Sequence, residues 1–330
     1  CLHQESRPYL ERLRFTAKSF RFGLTDRLAF IANIYPLIGR FIRYVVPMGR
    51  FERALINDGV DLVYFTAPCQ YAAALNRLAY ITTVWDLCHR DLPEFPEVSA
   101  NGEFERRELL YRSTLPKANL ILTDSAELAK RVERRYGIDA GRILAMPFVP
   151  APFLTDRDAA SSGTNTIEGE YFFYPAQFWP HKNHVRILEA VRQLKDQNVL
   201  VRVAFSGKDY GNLSWIRDRA DKLGVMEQIQ FLGFVSPDEM NSLYDNCIAV
   251  LMPTYFGPTN IPPLEAWFKG KPLIYSRHLH EQAEDAAWLV DPDSAESLAE
   301  GMKAMLGIEV RKKYAYRGRC RLEMIMSERN

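Results

Sequence analysis

Cysteine is scarce in this chain. Five occur in 330 residues, at Cys1, Cys69, Cys88, Cys247 and Cys320, and no two share a C-x-x-C spacing. An odd, scattered set argues against a disulfide framework or a cysteine zinc site and implies a reducing, cytoplasmic setting. Charge of one sign is lacking too: 42 Lys and Arg stand against 41 Asp and Glu, a formal net charge of +1. A general nucleic-acid binder needs a basic excess, so that class is set aside. No apolar run reaches the roughly 18–20 residues of a membrane span. The nearest, Leu28 to Val46, is broken by Pro36, Arg40 and Arg43. The fingerprints G-x-G-x-x-G and G-x-x-x-x-G-K-[ST] are both absent, which disfavours a dinucleotide enzyme and a P-loop kinase.

What the chain does have is room for two cores and a regular rhythm. With 47% hydrophobic and 25% charged residues, a chain of this length buries two ordinary cores more readily than one large one. The first fifty residues read as helical and basic: Arg7, Arg12, Arg14, Lys18, Arg21, Arg27, Arg40, Arg43 and Arg50 face only Glu5, Glu11 and Asp26. Strand-like runs "VDLVYFT", "AYITTVWDL", "ANLILTDS" and "RILAMPFV" then alternate with helical "ALNRLA", "GEFERRELLYRSTLPK" and "SAELAKRVERRYG", where Ser125 reads as a helix cap. After the loose stretch "PAPFLTDRDAASSGTNTIEGE" the alternation restarts with "YFFYPAQ" and runs to "SAESLAEGMKAML". This is the pattern of two doubly wound α/β domains with parallel sheets. The expected boundaries are 1–152 for the first domain, 153–169 for a linker, 170–312 for the second domain and 313–330 for a helical tail. Ligands in such sheets bind beyond the carboxyl ends of the strands, here the edge expected to face a cleft.

Two stretches sit at that edge. In "MPTYFGPTNIPPLEAWFKGKPLIYS" the apolar run Ile248 to Met252 is a strand, Gly257, Pro258 and Asn260 are turn formers, and Pro262 and Pro263 suit a helix's first turn. Glu265 is then expected in that first turn, with Gly270 stopping the helix. In "YPAQFWPHKNH" a strand again opens onto a helix, with Lys182 expected in the first turn. A lysine there opposes the helix dipole, and becomes favourable when an anion shares the site.

Together these stretches resemble the family-4 retaining glycosyltransferases of bacterial polysaccharide and lipopolysaccharide synthesis, from about Asp61 to Leu306 and most strongly from Tyr171 to Pro292. The resemblance implies the GT-B fold and transfer of a sugar from a nucleotide-diphosphate donor to a glycan or lipid-linked acceptor. It assigns Lys182 to the donor diphosphate, with Gln177 standing where the family usually has an arginine. It assigns Glu265 to the nucleotide ribose. Gly257 stands where the family carries a second glutamate, so Thr259, Asn260 and the amide of Ile261 are the replacement contacts. Phe234 and Val235 are expected at the base, Gly207 and Lys208 near the donor, and Asp86 with His89 in place of the usual His-Asp pair near the transferred sugar.

By the same resemblance the leaving phosphate helps to deprotonate the acceptor. No His/Cys ligand cluster stands out, so no metal and no cofactor are expected. The departures from the pattern keep two rivals in view: a nucleotide-sugar epimerase or hydrolase, and a non-catalytic sugar-nucleotide-binding protein. The first GT-B domain normally opens with a strand and a glycine-rich loop, whereas this chain opens on Cys1 in basic helical sequence. Upstream residues supplying at least one central strand are therefore expected. Basic and aromatic residues interleaved from Arg7 to Arg50 imply peripheral contact with an anionic membrane at the inner face.

Overall fold

A computed structural model of the chain describes residues 18–151, 167–257 and 259–327. The expected linker falls almost wholly outside those residues, as do the basic residues before Lys18. The chain divides into two compact units. The first gathers Cys1–Trp85, Glu105–Leu122 and Ala129–Leu144; the second gathers Asp86–Phe104, Thr123–Leu128 and Ala145–Asn330.

In the first unit, helices α1 (Leu24–Ile34), α2 (Pro36–Val45) and α3 (Arg50–Asn57) precede a four-stranded sheet. Its strands are β1 (Leu62–Phe65), β2 (Ala79–Val84), β3 (Leu120–Thr123) and β4 (Ile143–Ala145), in that spatial order, with β1 parallel to β2. Helix α4 (Glu103–Thr114) precedes β3, and α5 (Ala126–Tyr136) lies between β3 and β4. Ser125 Oγ accepts the Leu128 amide at 3.3 Å, so this helix is capped as its sequence suggests. One expected helix does not form. At "ALNRLA" the amides of Asn76, Arg77 and Leu78 all donate to Glu52 Oε1, at 2.8, 2.6 and 2.9 Å. A buried carboxylate that takes three consecutive amides supplies stronger, charge-assisted bonds than a helical turn would.

The second unit is built on six strands: β5 (Phe172–Pro175), β6 (Val203–Ser206), β7 (Ile229–Gly233), β8 (Ala249–Met252), β9 (Leu273–Ser276) and β10 (Trp288–Val290). The spatial order is β10-β9-β8-β5-β6-β7 and every pairing is parallel. Strands β6, β8 and β9 are buried along their whole length, which is why their sequences are unbroken apolar runs. Helices α6 (His184–Asp196), α7 (Leu213–Lys222), α8 (Pro237–Asn246), α9 (Ile261–Phe268) and α10 (Ala295–Ala304) alternate with them. A last helix, α11 (Ile308–Ser327), includes most of the expected tail and packs on α9, burying Leu322 and Ile325.

This strand order winds in opposite directions from β5 and from β8. The reversal between them is the topological switch point, where the loops leaving adjacent strands diverge and open a crevice. The two stretches singled out above are the loops that leave β5 and β8.

Candidate active site

The loop after β5 carries a short 3-10 turn, Pro180–Lys182, then Asn183 in the left-handed region at φ 59°, and only then α6. Lys182 was expected inside the helix; it lies in the turn before it. Asn183 separates the two, because its side-chain amide donates to the carbonyls of Pro253 at 3.0 Å and Pro292 at 2.8 Å. One residue thereby ties together the loops after β5, β8 and β10. The Lys182 carbonyl accepts from Tyr174 Oη at 2.7 Å. The residue is half-buried, and its ammonium has no hydrogen bond or ion pair with any described residue. Burial pulls this lysine down to about 8, against the opposing pull of Cys88, Glu97 and Asp86.

The loop after β8 is held by a network. Gly257 takes φ +104°, and a side chain there would lie 2.6 Å from the Asn260 amide oxygen. Asn260 Nδ2 donates to Tyr275 Oη at 2.8 Å and to the Gly257 carbonyl at 3.1 Å. The Asn260 amide donates to Gln282 Oε1 at 2.9 Å, and Gln282 Nε2 returns a bond to the Asn260 carbonyl at 2.6 Å. The side chain expected to touch the donor is thus committed to shaping the loop. Ile261 opens α9 and is 40% exposed. Pro262 and Pro263 carry no amide hydrogen, so this helix end presents the Ile261 amide rather than a row of donors.

Glu265 departs from expectation as well. With the helix starting at Ile261 it stands in the second turn, not the first. It is buried, and its Oε2 accepts from Tyr244 Oη at 2.6 Å. Burial pushes its carboxyl above the usual range, while the Tyr244 bond and the Ala151 amide act the other way.

Other groups were not foreseen. Glu97, on the single turn Pro96–Ser99, accepts both the His181 amide at 3.0 Å and the His181 Nδ1. The His181 ring stacks on Phe256 with centroids 4.2 Å apart, and its carbonyl accepts the Tyr255 amide at 2.9 Å. This clamp fixes the residue next to Lys182 against the β8 loop. Burial brings His181 down to about 4, so the ring is neutral at pH 7. Burial opposes ionisation of Glu97, but the bonds from His181 outweigh it and hold the carboxyl below its usual value. Asp124 is buried and pushed up to about 7 by desolvation, with Ser125 and Thr259 as hydrogen-bond partners that favour its charged form. The only visible cue to Glu97 was a glutamate directly after a turn-forming proline.

Asp86 is half-buried, and its Oδ1 accepts the Cys88 amide at 2.9 Å, opening the single turn Cys88–Asp91. His89, on that turn, is fully buried with its ring 5.5 Å from that of Phe104. Asp86 and His89 thus share one short segment, with the His89 ring packed away from solvent.

At the β6 side, a side chain on Gly207 would lie 2.3 Å from the Ala176 carbonyl, so only glycine lets these strand ends approach. Gln177 is exposed and its Oε1 accepts from Trp179 Nε1 at 3.1 Å. Trp179 stacks on Tyr210 at 4.2 Å and 15°, and Lys208 Nζ lies 5.8 Å from the Tyr210 ring. Phe234, following β7, is 85% exposed, and Val235 is half-buried. Gln177, Gly207 and Lys208 are therefore neighbours around an aromatic shelf that the sequence reading missed. Among the described residues no group of three or more His, Cys, Asp or Glu could hold a metal. The sequence carries two Asp-x-Asp triplets. Asp156–Asp158 lies outside the described residues, and Asp291–Asp293 is a turn in which the Asp293 amide donates to Asp291 Oδ1 at 2.9 Å.

A Rossmann-ordered sheet with a lysine and a glycine loop flanking its switch point defines a doubly wound α/β protein with a crevice at that point. The profile of the family described as Glycosyl transferases group 1 matches residues 157–321, half of the chain, and the chain belongs to that family. It is 23% identical over 198 residues to the O-antigen chain mannosyltransferase RfbU of Salmonella typhimurium, covering 59% of this chain and 53% of RfbU. It is 24% identical over 290 residues to O-antigen chain mannosyltransferase B of Escherichia coli, covering 82% and 71%. The chain thus spans about half the length of the first of these relatives. Among solved structures, Anabaena HepE in complex with UDP and glucose superposes with a TM-score of 0.69 at 15% identity, over 99% of this chain and 88% of that one. A glycosyltransferase of Rickettsia africae gives 0.68 at 14%, over 98% and 85%. At these identities the likeness establishes the fold, which is GT-B.

Proposed function

We propose that the chain transfers a sugar from a nucleotide-diphosphate donor to a glycan or lipid-linked acceptor in surface-polysaccharide assembly, with retention and without a metal. The observation that carries this reading is Lys182: a side chain half-buried over its length, its ammonium desolvated, without a hydrogen bond or ion pair among the described residues, and beside the switch point. A cation kept there at a cost to folding is explained by an anion that arrives with the substrate. In this reading Lys182, Thr259 and the Ile261 amide take the diphosphate, and Glu265 receives a ribose hydroxyl on the oxygen that Tyr244 leaves. Lys208 and Gln177 lie toward the donor, and Phe234 and Val235 meet the base. The diphosphate leaves toward Lys182, and its oxygen takes the acceptor proton on the same face. The UDP and glucose of HepE and the O-antigen role of RfbU support this donor class and setting.

We place the protein at the cytoplasmic side of the membrane. Leu37, Phe41 and Tyr44 share one face of α2 and are 98%, 74% and 89% exposed, which supports contact with a lipid surface. The burial of His89 favours a second reading, in which donor is bound but not turned over. Incubating nucleotide sugars with and without glycan acceptors separates the two. An acceptor-linked product is expected; nucleotide binding without any product would leave the binding-only reading.

A further inference from the structure

A second cluster of basic side chains lies in the first unit, at the amino-terminal ends of β2 and β3. That is the edge away from the carboxyl ends where substrates bind in such sheets. A cavity of about 610 Å³ opens there, lined among others by Asn33, Arg43, Asn76, Arg77, Tyr80 and Lys117. Two of its cations converge on one neutral atom: Asn33 Oδ1 accepts from Lys117 Nζ at 2.5 Å and from Arg43 Nη1 at 3.4 Å.

On a free surface, long cationic side chains spread apart, because repulsion and chain entropy both favour it. Here they are held together. Arg43 Nη1 also donates to the Ala32 carbonyl at 2.8 Å. Asn33 is itself fixed, donating to the Ala73 carbonyl at 2.7 Å and to Asn76 Oδ1 at 2.8 Å. The acid of this region, Glu52, is fully buried with one oxygen saturated by three backbone amides. No acidic residue is among those lining the cavity. The crowding is felt at Lys117, which desolvation and then Arg43 hold below the usual lysine value, against Glu52.

We propose that this cavity binds a phosphate-type oxyanion, held by Arg43, Lys117 and Arg77 around the fixed Asn33–Asn76 pair. Both cations at Asn33 keep N–H donors beyond the bonds named above, and a tetrahedral oxyanion accepts from several donors at once. The chemistry is shared by inorganic phosphate and by the headgroup of an anionic phospholipid. The site is independent of the Lys182 crevice and of the reaction proposed for it.

The test reads Lys117 itself, on the full chain. Acylation of its amine is followed by mass spectrometry, with Lys222 as an exposed reference. Inorganic phosphate is compared with chloride at equal ionic strength, and phosphatidylglycerol vesicles with phosphatidylcholine vesicles. Bound anion should slow Lys117 about fivefold when present at about four times its dissociation constant, leaving Lys222 unchanged. Arg43→Gln should abolish that protection. Protection by free phosphate assigns a soluble ligand, and protection by phosphatidylglycerol vesicles alone assigns a headgroup. Equal slowing at both lysines, no slowing at either, or full protection persisting in Arg43→Gln would overturn the proposal.

Discussion

Replacing Lys182 with methionine keeps an unbranched side chain of similar length and removes the charge, and the account assigns this change two effects of opposite sign. Burial lowers this lysine from its ordinary 10.5 to about 8. Below pH 8 both folded and unfolded chains hold the proton, and the folded state carries the full desolvation cost, on the order of 3 kcal/mol at pH 7. Between 8 and 10.5 the unfolded chain binds more protons than the folded one, so wild-type stability rises with pH through that window. Lys182→Met should therefore be more stable than wild type at pH 7 in urea unfolding, with the difference shrinking as pH approaches 10. Nucleotide-diphosphate affinity should move the other way. Loss of one charged contact of about 2–3 kcal/mol weakens binding roughly 30- to 150-fold. Wild-type affinity should also fall as pH rises past 8 and the ammonium deprotonates. Calorimetry at pH 7 and pH 9 measures both. A methionine variant that is less stable than wild type yet binds nucleotide equally well would refute the reasoning, since Lys182 would then serve the fold and not the ligand.

Glu265→Gln should weaken nucleotide binding about tenfold, the scale of a lost charge-assisted hydrogen bond; unchanged affinity would restrict Glu265 to its bond with Tyr244. Gly207→Ala should destabilise by about 2 kcal/mol or more, because the new methyl meets a backbone carbonyl that cannot turn aside; wild-type chemical denaturation would contradict the close approach at Ala176. The protein should sediment with anionic vesicles at low salt and release as salt rises, with Phe41→Ser weakening the interaction. Retention in the supernatant at low salt would remove the membrane contact from the account.

How legible the site was depended on how far apart its partners lie. The strand Ala249–Met252 was visible because a parallel strand buried on both faces is apolar throughout. Pro262 and Pro263 marked the start of α9 because their missing amides are tolerated only there. The helix begins at Ile261, however, and that moves Glu265 from the expected first turn into the second. The displacement of Lys182 from α6 was hidden, because the left-handed state of Asn183 is a backbone choice that depends on two carbonyls 70 and 109 residues away. The Glu97–His181 clamp spans 84 residues and leaves no periodic trace. "ALNRLA" has helical composition, and only the three-dimensional position of Glu52 diverts its amides. Local chemistry thus revealed the elements and both loops at the switch point, while the contacts that orient their side chains are long-range.

The central claim is that a nucleotide diphosphate binds at the switch point between β5 and β8, with its phosphates on Lys182. A crystal structure of the protein with UDP or GDP tests it most directly. The account predicts a phosphate oxygen within hydrogen-bond distance of Lys182 Nζ and the diphosphate lying along Gly257 to Ile261. Nucleotide bound elsewhere, with the Lys182 ammonium left without a phosphate contact, would contradict it.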